Sequence, residues 1–262
     1  MNDVQARAEK SEERIGRNDR FPEPLAGRVA LVTGGAQGLG AAIRRNLSEA
    51  GAAVIAQDVR EGKMQFRART LSAEGGAVGT RRLDAADPGS VADAPQDIVA
   101  RHGRRDIPVN DAGTDLTVSA EEMPIEPWRR IPDVNLAGTF LAAGAILPRM
   151  RKQGGGRIVN IVSTAAKRAW PNASAPHASK WGLLGLSHAL HAEARPLGVK
   201  VTAVISGDSR TPFLLDRPAH IDQSTLQDPT NVTHAVRFGV TQPAETVIPG
   251  IMVLPTRVTS WP

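Results

Sequence analysis

Residues 29–40 read VALVTGGAQGLG, run on through AAIRRNLSEAG to Gly51, and continue as AAVIAQD to Asp58. Val29 to Val32 is a short unbroken apolar run, the pattern of a strand buried on both faces. The glycines of Thr33-Gly34-Gly35-Ala36-Gln37-Gly38-Leu39-Gly40 then permit a sharp turn and a close backbone approach. A helix from about Leu39 to Glu49 follows, with Gly51 placed where left-handed helix caps fall. Ala53 to Ala56 is a second strand, and Asp58 stands at its end. A helix that starts directly after a glycine turn offers free N–H groups and a positive dipole end to an anion such as a diphosphate. A carboxylate at Asp58 suits the two hydroxyls of an adenosine ribose and repels a 2′-phosphate. No basic residue lies in the loop before Gly38, so NAD is the expected cofactor; Arg60 is near enough to keep NADP as the second choice.

Outward from this unit the alternation continues. A weaker third strand is expected at Ala77 to Leu83, then a helix from an N-cap at Ser90 through Ala100, and a strand from Asp106 to Asn110. A long helix should start at Pro127 and reach about Met150, before a strand at Arg157 to Val162 and a helix at Ser174 to Glu193. A strand at Val199 to Ile205, a helix near Asn231 to Phe238 and a strand at Ile251 to Leu254 finish the pattern. Strands alternating with helices imply an α/β fold with a parallel sheet covered on both faces. Residues 1–26, with alternating charges and Phe21-Pro22-Glu23-Pro24, are expected to form a flexible extension. Residues 27–262 show no linker and no repeat and are taken as a single domain.

Composition narrows the function. A chain of 262 residues that is 41% apolar can fill a core. The longest apolar run, Leu136 to Pro148, holds two glycines and falls short of the roughly 20 residues of a membrane helix, so no membrane partner is expected. The leading residues are too polar for a secretory signal, and the absence of cysteine removes disulfides, thiolate nucleophiles and thiolate metal sites. A cytoplasmic location fits both facts. The net charge of +5 is dispersed over pairs such as Arg44-Arg45 and Arg81-Arg82, and aromatic residues are only 3%, so no nucleic-acid partner is expected. His188 and His191 share a helix face without a third ligand, so no metal site is expected.

Further motifs follow in order: Asp84 after the third strand, Asn110-Asp111-Ala112-Gly113 after the fourth, and Asn135 in the long helix. Ser163 follows the fifth strand, then His177-Ala178-Ser179-Lys180, then Gly207 through Thr211 after the sixth. With Thr33 to Gly40, these motifs make the chain resemble the short-chain dehydrogenase/reductase family from about Gly27 to Thr211. The resemblance implies a Rossmann-like, doubly wound parallel sheet of about seven strands in a three-layer αβα sandwich. It also implies a nicotinamide cofactor, a small alcohol or ketone substrate, and a homo-oligomer, dimer or tetramer. By position, Gly34, Gln37, Gly38, Leu39 and Gly40 would line the diphosphate. Asp58 and Val59 would take the adenosine ribose, and Asp84 and Ala85 the adenine edge. Asn110, Ala112 and Gly113 would pass the adenosine, while Gly207 and Thr211 reach the nicotinamide side. Asn135, Ser163, His177 and Lys180 match the catalytic positions, with Lys180 also binding the cofactor.

One catalytic position departs from the family. His177 stands where the family has tyrosine, and the chain has no tyrosine at all. Positions i and i+3 share a helix face, so His177 and Lys180 are expected to point together. Imidazole, with an ordinary pKa of roughly 6.5, can shuttle protons. A neighbouring ammonium favours its neutral form, however, and the ring is shorter than a phenol. A misplacement of about 1 Å costs roughly 100-fold. The expectation is therefore an NAD(P)-dependent oxidoreductase interconverting an alcohol and a ketone with weakened hydride transfer; the alternative is a nucleotide-binding homologue without significant redox activity. A hydrolase built on Ser163 and His177 would need a Gly-x-Ser-x-Gly elbow, which the chain lacks.

Other departures are smaller. Asp111 replaces a second asparagine, and Ser206 replaces a proline before Gly207. Pro108 falls in a central strand, and Pro95 and Pro132 fall in expected helices, each costing about 3 kcal/mol if interior. Ala165, Trp170, Phe213 and Leu214 are expected to form a modestly apolar pocket, with Trp128 and Trp261 as other candidates for its edge and Trp181 in a subunit interface.

Overall fold

The computed structural model describes residues 25–73, 78–93, 103–216 and 221–257. Its strands are β1 (Val29–Thr33), β2 (Ala53–Asp58), β3 (Val78–Arg82), β4 (Ile107–Asn110), β5 (Gly156–Ser163), β6 (Val199–Ser206) and β7 (Gly250–Val253). They form one sheet in the order β3-β2-β1-β4-β5-β6-β7, parallel throughout. The helices are α1 (Gly38–Glu49), α2 (Glu61–Ala73), α3 (described over 88–93), α4 (Ile125–Lys152), α5 (Ser174–Ala194), α6 (Pro212–Leu215) and α7 (Pro229–Val240). This is the expected Rossmann-like architecture.

The period of two along β1 sorts the core into two layers. Ala30 and Val32 face Ile43 and Leu47 of α1 and Val232, Val236 and Val240 of α7. Val29 and Leu31 face Ala143, Ile146 and Met150 of α4 and Leu190 and Ala194 of α5. Burying each such Val, Leu or Ile is worth roughly 1.5–3 kcal/mol. Leu25, on the extension side of the expected boundary, is buried in the first layer, and its N–H donates to the Ala50 carbonyl.

Several boundaries differ from the expectation. Helix α2 has no counterpart in the sequence pattern; Met64 and Ala68 are its buried anchors. Helix α3 starts at 88, not after Ser90. Asp87 caps it, accepting the Gly89 N–H at 3.0 Å, while the Ser90 hydroxyl accepts the Asp84 N–H at 3.1 Å. Pro95, Ala100 and Trp261, like most of the extension, lie outside the described residues. Helix α4 starts at Ile125, two residues before Pro127, and runs through Pro132. It widens into a π turn over Asp133–Ala137, where the Gly138 N–H reaches back to the Asp133 carbonyl. Such a turn resets the ladder next to a residue with no N–H to donate. At 28 residues, α4 is long and apolar enough to cross a membrane, but its Ala143, Ile146 and Met150 pack on the sheet. Pro108 does lie in β4, aligned with Leu31, and the β4–β5 register spans only Val109 and Asn110.

The end of the sheet opposite the glycine turn is tied by one carboxylate. Asp106, just before β4, accepts the Val29 N–H at 2.9 Å, Arg28 at 3.1 Å and Arg104 at 2.8 and 2.6 Å. Burial alone would raise its pKa. The hydrogen bonds from Arg104, Val29 and Arg28 together outweigh burial and hold it below the usual carboxylate range. We expect Asp106→Ala to destabilise the fold by about 2–3 kcal/mol at pH 7. The native pKa lies below the unfolded one, so this contribution is present above the unfolded pKa and is lost as pH falls through the native one. Urea unfolding at pH 7 and in acid should show the gap closing; an equal gap at both would rule the carboxylate out as its source.

Candidate dinucleotide and active-site cleft

The chain winds outward from β1 to β3 and then crosses back to β4, so a crevice opens beyond the carboxyl ends of the strands at that switch point. The cleft there holds roughly 1510 Å³ of space open to solvent.

One wall is the glycine turn. Gly34 and Gly38 have φ of 69° and 58°, left-handed values that favour glycine. A Cβ at Gly38 would point across the cleft towards Thr211, 3.5 Å from its Cβ. The Gln37 side chain makes no cap bond to α1, so the amides of Gly38 and Leu39 are left for a ligand, while the next one, of Gly40, donates to Asp111. Asp58 accepts the Ala36 N–H at 3.1 Å and the Arg60 N–H at 3.0 Å, which fixes its carboxylate at the cleft edge. Gln37 accepts from Lys63 at 3.3 Å. Asp84 is gripped through both oxygens by Arg130 of α4, at 2.9 and 3.0 Å, a partner that no motif in the sequence marks.

The floor is threaded over β1 by Thr33, whose hydroxyl accepts both the Asp111 and the Ala112 N–H at 3.0 Å. Gly34, Gln37, Gly38, Leu39, Asp58, Val59, Asp84, Ala85, Ala112, Gly113, Gly207 and Thr211 all line the cleft. Asn110 and Gly40 do not. Asn110 turns into the interior, donating to Asn160 at 2.8 Å, which in turn donates to Ser187 at 3.0 Å. Gly40 lies beneath the loop, where a Cβ would run into the Gly34 carbonyl oxygen and approach Asp111 Oδ2 to 2.7 Å.

Asn135, Ser163 and Lys180 meet in the same cleft. The Asn135 amide is spent on the Thr114 N–H and carbonyl (2.8 and 3.0 Å) and on the Ser179 hydroxyl (3.0 Å), so it braces the site. Ser163 accepts the Ala165 N–H at 3.1 Å and keeps its own O–H to donate. Lys180 donates to the Ile161 carbonyl at 3.0 Å. Burial lowers the Lys180 pKa, against the pull of Asp111 and Asp115. Burial likewise pushes Asp111 up to about 7, opposed by Lys180 and by the Gly40 amide and assisted by Asp58.

His177 does not join them. Its Nε2 accepts the Trp170 N–H at 3.1 Å, so that nitrogen carries the lone pair. Its Nδ1 therefore carries the proton and donates to the Ala165 carbonyl at 2.9 Å. The ring stands edge-on to Trp170 with centroids 4.3 Å apart. The imidazole is short, and each nitrogen meets a backbone group of the loop before α5, so the ring clasps that loop and is not among the cleft-lining residues. Phe213 and Leu214 do line the cleft, whereas Ala165 and Trp170 do not.

The chain matches the short chain dehydrogenase family over residues 28–221. It is 41% identical to D-threitol dehydrogenase of Mycolicibacterium smegmatis over 184 residues, 70% of this chain and 71% of that one. It is 37% identical to 2-dehydro-3-deoxy-L-rhamnonate dehydrogenase (NAD(+)) of a Sphingomonas species over 199 residues, 76% and 78% of the two chains. The crystal structure of a metagenomic short-chain oxidoreductase in complex with NADP superposes with a TM-score of 0.79 at 32% identity, covering 89% of this chain and 99% of the other.

The clasp can be tested by stability. His177→Ala removes two loop hydrogen bonds and a ring contact, and we expect a loss of about 1–3 kcal/mol in urea unfolding. A variant as stable as the parent would mean that the imidazole holds nothing.

Proposed function

The chain belongs to the short-chain dehydrogenase family, and from that premise we propose that it is an NAD-dependent oxidoreductase acting weakly on a small alcohol and its ketone. The observation that carries this reading is the convergence on one cleft of the α1 amides, Asp58, Ser163 and Lys180. The amides of Gly38 and Leu39, uncapped by any side chain, suit a diphosphate. Asp58 suits the adenosine ribose and disfavours a 2′-phosphate. The relative named for NAD(+) supports that preference, and the neighbour solved with NADP makes it worth measuring. When bound, a nicotinamide ring supplies the hydride acceptor or donor.

The chain's own residues bind and hand over protons. Lys180, anchored on the Ile161 carbonyl, presents its ammonium to the cofactor's ribose side. Ser163, its oxygen already accepting from Ala165, directs its O–H at the substrate oxygen. Phe213 and Leu214 give that end an apolar wall. No phenol exists in the chain, and His177 is committed to Ala165 and Trp170, so proton transfer at the substrate oxygen is left to Ser163 and solvent. The same commitment favours a second reading, a nucleotide-binding homologue with no significant turnover. The relative named for D-threitol makes polyols the first substrates to try. Exposed Phe140 on α4 and Trp181 on α5 supply the apolar surface for the homo-oligomer we also infer.

Thermal shift with NAD and NADP tests the binding. A ligand at about 100 times its Kd adds about 2.7 kcal/mol of stability. We expect NAD to raise the Tm more than NADP and Asp58→Ala to shrink the difference; a melting point indifferent to both would end the proposal. Turnover of a polyol panel separates the two readings. His177→Tyr should raise kcat by about tenfold or more, since a placed general acid/base contributes roughly 100- to 10,000-fold. No gain on any substrate would show that position 177 does not limit the rate.

A further inference from the structure

The cleft holds a carboxyl group that the chemistry above does not use. Asp111 follows β4 directly, its N–H fixed on the Thr33 hydroxyl at 3.0 Å. Its side chain lines the cleft beneath the glycine turn, with Oδ2 2.7 Å from the point where a Cβ on Gly40 would stand. The Gly40 amide, in the first turn of α1, donates to it. The carboxyl thus lies at the same positive helix end that a diphosphate would use. The charged groups that act on it are few: Lys180 from α5 attracts it and Asp58 from the end of β2 repels it, while Asp115, farther along the loop, acts on Lys180.

We propose that Asp111 links dinucleotide binding to proton uptake: the cleft accepts a diphosphate-bearing ligand with Asp111 in its neutral acid form, paired with a cationic Lys180. This rests on the dinucleotide reading of the cleft. The cause is electrostatic. An ionised Asp111 and a diphosphate compete for one helix N-terminus, and two anions in a partly desolvated site repel. Protonation removes that repulsion and leaves the Lys180 charge uncancelled. The proton comes from solvent, bonds to one carboxylate oxygen, and leaves the other to accept the Gly40 N–H; no bond of the ligand changes.

Linkage sets the sign. In the free protein Asp111 is already half-protonated near pH 7. A bound anion raises that value further, so the complex holds more protons than the free components at and above neutrality. Affinity is then flat in mild acid and falls above pH 7, by at most about tenfold per pH unit for one linked proton.

Calorimetric titration of the full chain with NAD from pH 6 to 9, in two buffers of different ionisation enthalpy, is the test. We expect Kd to rise by about tenfold or more between pH 7 and pH 9, with uptake of up to one proton. Asp111→Asn should bind with a flat profile and without uptake. A flat profile and no uptake in the wild-type chain overturn the proposal while leaving the dinucleotide reading intact. Undiminished uptake in Asp111→Asn also overturns it, since another group then takes the proton. If that variant fails to fold, the wild-type uptake measured in the two buffers decides alone. Absence of NAD binding at every pH removes the dinucleotide reading and this inference with it.

Discussion

The Gly34 carbonyl oxygen occupies the place where any side chain at position 40 would begin. That steric fact forces glycine at Gly40 and lets α1 start hard against the end of β1. This close approach shapes one wall of the cleft. It aims the uncapped amides of α1 across the carboxyl ends of the strands. It puts Gly38 opposite Thr211, and it brings Asp111, from the end of β4, within reach of the Gly40 amide. The left-handed turns at Gly34 and Gly38 are the backbone cost of the arrangement, met by residues without a Cβ. The two apolar layers hold β1, β4 and β5 in register, so Asn135, Ser163 and Lys180 arrive at one cleft from α4, β5 and α5.

The ring at position 177 engages more than one group of the loop beside it. A ring at position 177 leaves α5 next to the loop that follows Ser163. An imidazole has two polar atoms and little reach, and the nearest partners are the Ala165 carbonyl and the Trp170 amide. Once both nitrogens are bonded there, moving the ring into the cleft would cost two hydrogen bonds, each worth about 1 kcal/mol net. Trp170, stacked by its edge on the ring and lying 5.5 Å from the Arg168 guanidinium, adds to the hold. The loop is thereby fixed by the residue that sequence logic assigns to chemistry.

How much of this is legible in the chain alone follows from the kind of signal each feature leaves. The glycine turn, the strands and Asp58 are legible because continuous apolar runs with glycines at fixed offsets are compatible with few folds. Helix α2 is not, since its buried Met64 and Ala68 are set among polar residues and an exposed Phe66. Asp87 and Ser90 are both good N-caps, so the pattern does not choose between them; in the structure Asp87 caps α3 while the Ser90 hydroxyl accepts the Asp84 amide. Pro132 reads as a helix breaker, and the π turn that absorbs it has no sequence mark. Membership of the cleft is legible for most site residues. The direction of a side chain is not: Asn110 and His177 sit at the expected positions and point elsewhere, each drawn by its own partners, Asn160 and the Ala165–Trp170 loop.

The remaining tension is one of charge. Asp58, Asp84 and Asp111 all border a cleft suited to an anionic ligand. Asp84 is paired with Arg130, one guanidinium nitrogen meeting both of its oxygens, and Asp58 is held by two backbone amides. Asp111 has no such partner at the cleft rim. Its balance is internal, between burial, which favours the acid, and Lys180 with the Gly40 amide, which favour the anion. Burial prevails and pushes the carboxyl up to about 7, so near neutrality a modest change in local potential decides its protonation state. Ligand and pH thus act on this cleft through Asp111 and the Lys180 ammonium that attracts it, and the carboxyl lies against the helix end that the glycine turn exposes.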